Sequence, residues 1–192
     1  MAIRSFLAFE LPPEIKEMLR DVSGEMKKLA LDLRWVKVDN MHLTVVFLGG
    51  INRAQIGEVG LKTEEICCDF APFNVSLKGT GIFGTPRNPK VLWIGINGDL
   101  DRMGRFRDSL QLALEDLGVR QEKRPFRPHL TVGRFRKGSR TASHHLEKLL
   151  SRYRDLKSQS WPAKELVLFR SDLNPGGAVY TKMKAWPLTG QG

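Results

Sequence analysis

The chain has little of several things, and each shortage closes off a class of protein. Its 192 residues hold two cysteines, Cys67 and Cys68, and these are neighbours. Adjacent cysteines rarely pair with each other, and two thiols without a nearby histidine make a poor metal site. The pair reads as buried thiols on a helix, with no need for an oxidising compartment. No apolar run approaches the roughly 20 residues of a membrane-crossing helix, so no membrane partner is expected. The opening segment, residues 1–19, becomes charged too early for a secretory leader, which makes the cytoplasm the expected location. No Walker-type glycine loop is present, so no ATP-driven step is expected. No linker rich in proline, glycine or serine divides the chain. Residues 1–192 are therefore expected to form a single domain, large enough for two lobes on a shared core.

Acid is also short. Asp and Glu number 21 against 31 Lys and Arg, for a net charge of +10. Such a surface favours polyanions through phosphate contacts and counterion release. Charge of this size is common in soluble proteins, so it supports a nucleic-acid partner only weakly.

Against these absences stands a repetition. The tetrapeptide His-Leu-Thr-Val occurs as His42-Leu43-Thr44-Val45 and again as His129-Leu130-Thr131-Val132, 87 residues apart (129 − 42). Both copies lie in apolar, β-branched runs. Successive side chains in a strand point to opposite faces. Each copy therefore projects a His and a Thr side by side, with Leu and Val on the other face. One such His on its own reads as a half-buried residue bonded to backbone; two in matching contexts read as a site. Two facing copies would assemble two imidazoles and two hydroxyls, a kit for in-line attack on a phosphodiester.

The remaining pattern alternates strands and helices. Residues 3–9 read as a strand. Pro12 and Pro13 open a helix whose apolar period runs to about residue 33. Residues 34–38 alternate as a strand, Asp39-Asn40 signals a turn, and a hairpin with the first motif strand is expected. Helices are expected over residues 53–70, 99–117 (stopped by Gly118) and 142–153 (with Thr141 as N-cap). Further strands fit Phe73–Leu77, 91–96, 163–170 and 177–185. Residues 79–89 read as a glycine-rich loop, residues 174–177 as a turn, and residues 189–192 as a frayed tail.

An ordered set of residues carries a family resemblance over nearly the whole chain. It comprises Arg4-x-Phe6-x-Ala8-Phe9, Arg34-Trp35-Val36, His42-Leu43-Thr44-Val45-x-Phe47-Leu48-Gly49, Pro89-x-Val91-Leu92-Trp93 and Phe126-Arg127-Pro128-His129-Leu130-Thr131-Val132-Gly133-Arg134. In this the chain resembles the two-histidine (2H) phosphoesterases, and among them the RNA 2',3'-cyclic phosphodiesterases, also called 2'-5' RNA ligases. The resemblance implies an α+β fold of two pseudo-symmetric lobes, each an antiparallel sheet with outer helices, flanking a central groove. It implies hydrolysis of a terminal 2',3'-cyclic phosphate on RNA ends or nucleotides to a 2'-phosphate. Reversal with a 5'-hydroxyl nucleophile would give weak 2'-5' ligation.

His42 and His129 are the expected acid–base pair. A first ordering has His129 activate water and His42 protonate the 3' oxygen, an order that pseudo-symmetry makes exchangeable. Thr44 and Thr131 are expected to donate to the non-bridging oxygens. Arg134 lies three residues past Thr131 and on a regular strand would face away; its place in the resemblance argues for a bend near Gly133, from which it could hold phosphate or stack on the terminal base. Arg87, Lys90, Arg124, Arg127, Arg136 and Lys137 are candidates for an RNA approach, with Arg127 singled out because it flanks the motif. Phe9, Phe47 and Tyr180 are candidate stacking surfaces. No metal or other cofactor is expected: Asp39 and Glu10 lack ligand spacing, and His144 and His145 read as solvent-facing. A monomer is the default. Two competing readings remain, a non-catalytic RNA-binding module and a phosphodiesterase for a small cyclic nucleotide or nucleotide-sugar cyclic phosphate.

Overall fold

The computed structural model describes residues 2–136, 143–175 and 177–191. Lys137, Thr141, Gly176 and Gly192, which figure in the sequence reading, lie outside those residues.

Among the described residues, nine strands form two antiparallel sheets. The first joins β3 (Leu43–Ile51), β1 (Ile3–Phe9), β8 (Glu165–Asn174) and β9 (Gly177–Pro187) in that order. The second joins β2 (Leu33–Trp35), β6 (His129–Phe135), β5 (Asn88–Gly98), β4 (Phe73–Thr85) and β7 (Trp161–Ala163). The helices are α1 (Pro13–Lys27), α2 (Arg53–Asp69), α3 (Leu100–Ala113) and α4 (Ser143–Arg152). This is the expected α+β class, and one continuous apolar cluster draws on both sheets and all four helices.

Local chemistry explains most boundaries. Proline in the first turn starts α1, where its missing N–H costs nothing. Ile15, Leu19 and Met26 form the buried stripe of that helix. The helix ends at Lys27 and not near residue 33, and Ala30 then takes a left-handed conformation (φ 52°). Asn52 caps α2 with a reciprocal pair of bonds to Gln55. Gly118 ends the 3-10 turn after α3 in a left-handed conformation (φ 80°).

Other expectations fail. The hairpin of residues 34–38 with the first motif does not form, because β2 pairs with β6 and β3 pairs with β1 in the other sheet. A 3-10 turn at Val38–Asn40 carries the chain from one sheet to the other. The glycine-rich loop is part of a long β4–β5 hairpin in which Gly81 faces Trp93. An added Cβ at Gly81 would stand 2.2 Å from that indole ring. Of the cysteines only Cys67 is buried, and burial pushes its thiol up to about 12; Cys68 is exposed. The tail is anchored, since the amides of Thr189 and Gly190 donate to the carbonyls of Cys67 and Phe70. His144 is exposed and His145 half-buried.

Candidate active site

The first motif lies on β3, the edge strand of its sheet, and the second on β6, between β2 and β5 in the other; β3 and β6 come into contact. The two are built alike. His42 Nδ1 bonds the carbonyl of Asn40 at 2.8 Å, and His129 Nδ1 bonds the carbonyl of Arg127 at 2.7 Å. A carbonyl only accepts, so each ring carries its proton on Nδ1 and leaves Nε2 for chemistry. Each histidine is thus held in one tautomer by the backbone two residues before it.

The threonines follow from strand register. Thr44 lies opposite Ala8, and Thr131 lies opposite Trp93. Both are half-buried. Among the described residues neither hydroxyl is held by a side-chain hydrogen bond, so both remain available to a ligand oxygen.

A β-bulge follows each motif. In β6, Thr131 pairs with Trp93 but Gly133 pairs with Leu92, so Val132 is the extra residue. In β3, Thr44 pairs with Ala8 but Val46 pairs with Leu7, so Val45 is the extra residue. A bulge places two consecutive residues against one and shifts the alternation by one. Val132 and Gly133 are both buried, as are Val45 and Val46. The third residue after each Thr thereby returns to the motif face. These residues are Arg134 and Phe47, both exposed. The bend anticipated near Gly133 is this bulge.

The surroundings of the rings differ. Phe6 stacks on His42 at 4.5 Å between ring centroids and 24° between planes, and Tyr180 meets its edge at 5.1 Å and 89°. Among the described residues, His129 has one comparable neighbour, Phe83, in an edge-on contact at 4.8 Å and 85°. Burial pushes the His42 imidazole down to about 4 despite the Asn40 carbonyl, and the charges of His129 and Arg134 push the same way. Burial also lowers His129, with the Arg127 carbonyl opposing and the Arg134 charge assisting. Arg134 therefore lies within electrostatic reach of both rings. A cavity of about 180 Å³ adjoins His42 and is lined in part by Lys16, Asn40, Tyr180 and Lys182. The side-chain amide of Asn40 donates to the carbonyl of Ala178 at 2.9 Å, tying the β8–β9 hairpin to the His42 turn.

Other candidates separate from the site. Phe9 is buried in the main core against Phe73 and Phe106, so it offers no stacking surface. Phe6, three residues earlier on the opposite face of β1, is the ring beside His42. Phe47 is 64% exposed, and Tyr180 is half-buried. Arg127 is exposed and contributes its carbonyl to His129. Arg124 pairs with Glu122, Arg136 with Asp32, and Asp39 with Arg20. Phe6 and Trp93 stand in the residues that carry the resemblance but, like Phe83, are not among the candidate site residues; strand alternation within Arg4-x-Phe6-x-Ala8 is the available signal for Phe6. Among the described residues no group of three or more His, Cys, Asp or Glu is placed to hold a metal ion. No described helix is long and apolar enough to cross a membrane.

Two tautomer-fixed imidazoles and two threonine hydroxyls on contacting strands of the two sheets are groups of the kind that acid–base phosphoryl chemistry uses. The chain belongs to the 2'-5' RNA ligase superfamily, whose family model matches residues 3–175. It is 29% identical over 188 residues to a Methanothermobacter thermautotrophicus protein named RNA 2',3'-cyclic phosphodiesterase, covering 98% of this chain and 100% of that one. It is 30% identical to the protein of that name from Methanocaldococcus jannaschii, covering 96% and 100%. Among solved structures it is similar to Escherichia coli LigT complexed with 3'-AMP, with TM-score 0.78, 26% identity and coverage of 98% and 99%.

Proposed function

We propose that this protein is an RNA 2',3'-cyclic phosphodiesterase that opens the terminal ring to a 2'-phosphate by two-histidine acid–base catalysis, without a metal. The observation that carries the reading is the matched pair of Nδ1 bonds to Asn40 and Arg127, which leaves both Nε2 atoms for the reaction. Ring opening needs a base on water at one side of phosphorus and an acid at the departing 3' oxygen opposite. The P–O bond to water forms, the P–O3' bond breaks, and a proton passes from water to one imidazole while the other gives one up to O3'. Thr44 and Thr131 donate to the non-bridging oxygens, where negative charge grows. Arg134 adds a fixed positive charge beside them, and Phe47 offers the terminal base an aromatic face.

The order of the two histidines has a physical consequence. With His42 as base, the resting protein already holds the required neutral ring. With His129 as base, His42 must gain a proton when the phosphate anion binds. The same machinery with a 5'-hydroxyl in place of water forms a P–O5' bond as the P–O3' bond breaks, which gives 2'-5' ligation.

The test is phosphorus NMR of a short RNA ending in a 2',3'-cyclic phosphate, incubated with the protein and EDTA. Conversion to a 2'-monophosphate, abolished in His42→Ala and in His129→Ala, is the expected result. A 3'-monophosphate would reverse the leaving oxygen. An unchanged cyclic end would overturn the reading.

A further inference from the structure

Arg34 on β2 lies directly opposite Arg134 on β6. Residues opposite one another in an antiparallel pair share a face, with Cβ atoms about 5 Å apart. The bulge at Val132 has already put Arg134 on the motif face, so Arg34 stands there too. Its neighbours agree: Leu33 is buried and Trp35 packs on the core, while Arg34 is exposed. Like charges directly opposite are unfavourable. Among the described residues, neither arginine forms an ion pair. The next basic residue, just past the end of β6, is different, since Arg136 is matched by Asp32 at 3.3 Å. Two unmatched guanidiniums on one face, beside a phosphate-handling site, call for a second anion.

Position says which anion. Arg134 reaches both imidazoles electrostatically, and Arg34 stands one strand further out, about 4.8 Å. With the reach of an arginine side chain, that offset matches the step from one RNA phosphate to the next. We propose that Arg34 binds the phosphodiester on the 5' side of the terminal nucleotide, and so makes the protein favour RNA chains over mononucleotides. The inference rests on the reaction proposed above. Its chemistry is the fork of guanidinium N–H donors on two non-bridging oxygens.

The experiment compares a dinucleotide ending in a 2',3'-cyclic phosphate with a mononucleoside 2',3'-cyclic phosphate that has a 5'-hydroxyl. In Arg34→Ala, the ratio of kcat/KM for dinucleotide over mononucleotide is expected to fall roughly fivefold, mainly through KM. The salt dependence of the dinucleotide KM is expected to flatten by about 0.7 in log–log slope. Arg34→Lys should restore the slope and part of the ratio. Equal losses on both substrates, or an unmoved ratio and slope, would overturn the proposal. Titration of the dinucleotide 2'-phosphate into both proteins covers the case of no turnover. Weaker binding to Arg34→Ala would then keep the subsite while the catalytic reading fails; equal binding would remove both.

Discussion

Replacing His42 with glutamine should remove a pH dependence from the stability of the protein. Burial holds the folded imidazole, stacked on Phe6, at about 4 against an ordinary 6.5. Above pH 6.5 the ring is neutral both folded and unfolded. Between 6.5 and about 4 the unfolded chain binds a proton that the folded protein refuses, so stability falls as the pH falls. The gap, 6.5 − 4, at about 1.36 kcal/mol per pH decade, comes to about 3 kcal/mol. Most of it, about 2.5 kcal/mol, is gone by about pH 4.5. Carboxylates and His129 titrate in the same window, but they do so in both proteins. The difference between wild type and His42→Gln is therefore the quantity to read. Urea unfolding at about pH 7 and about pH 4.5 should show the variant gaining about 2 kcal/mol on the wild type between the two conditions. Parallel loss in both proteins would refute the burial argument and the packing of His42 against Phe6.

Two further outcomes follow from particular contacts. Both imidazoles are depressed, and an anion between them favours their charged forms. Binding of adenosine 2'-phosphate near pH 7 should therefore take up protons, seen as a buffer-dependent enthalpy in calorimetry; zero uptake would contradict the site's electrostatics. Gly81→Ala would drive a methyl into the Trp93 ring, so unfolding should show a loss of about 1–3 kcal/mol, and kcat should fall because Trp93 backs Thr131.

The site was more legible in the sequence than the connections around it. The His and Thr positions announce themselves because an alternating strand has a single way to face them together. Phe47 and Arg134 are candidates in the sequence without a strand reason to face the site, since a strict period of two sends the third residue after each Thr to the wrong side. The bulges at Val45 and Val132 carry no strong local signal, and pairing register reveals them. Phe6 and Phe9 are both aromatic and fall on opposite faces of β1 by simple alternation, but the sequence does not say which face meets His42; the pairing of β1 with β3 and β8 does. The failed hairpin of β2 with β3 is a matter of topology. A short turn at Asp39-Asn40 is compatible with a hairpin or with a crossing between sheets, and the long-range pairing of Leu33–Trp35 with β6 decides it. In residues 79–89 the glycines read as loop signals, yet Gly81 serves close packing under an indole.

The central claim is that the two imidazoles act as one unit on one phosphate. Single-turnover rates on a cyclic-phosphate RNA end should be measured for His42→Ala, His129→Ala and the double variant. Each single change is expected to cost about 10²–10⁴-fold, and the double variant to be little worse than either, because a unit broken once is already broken. Losses that multiply in the double variant would show two independent contributions and contradict the account.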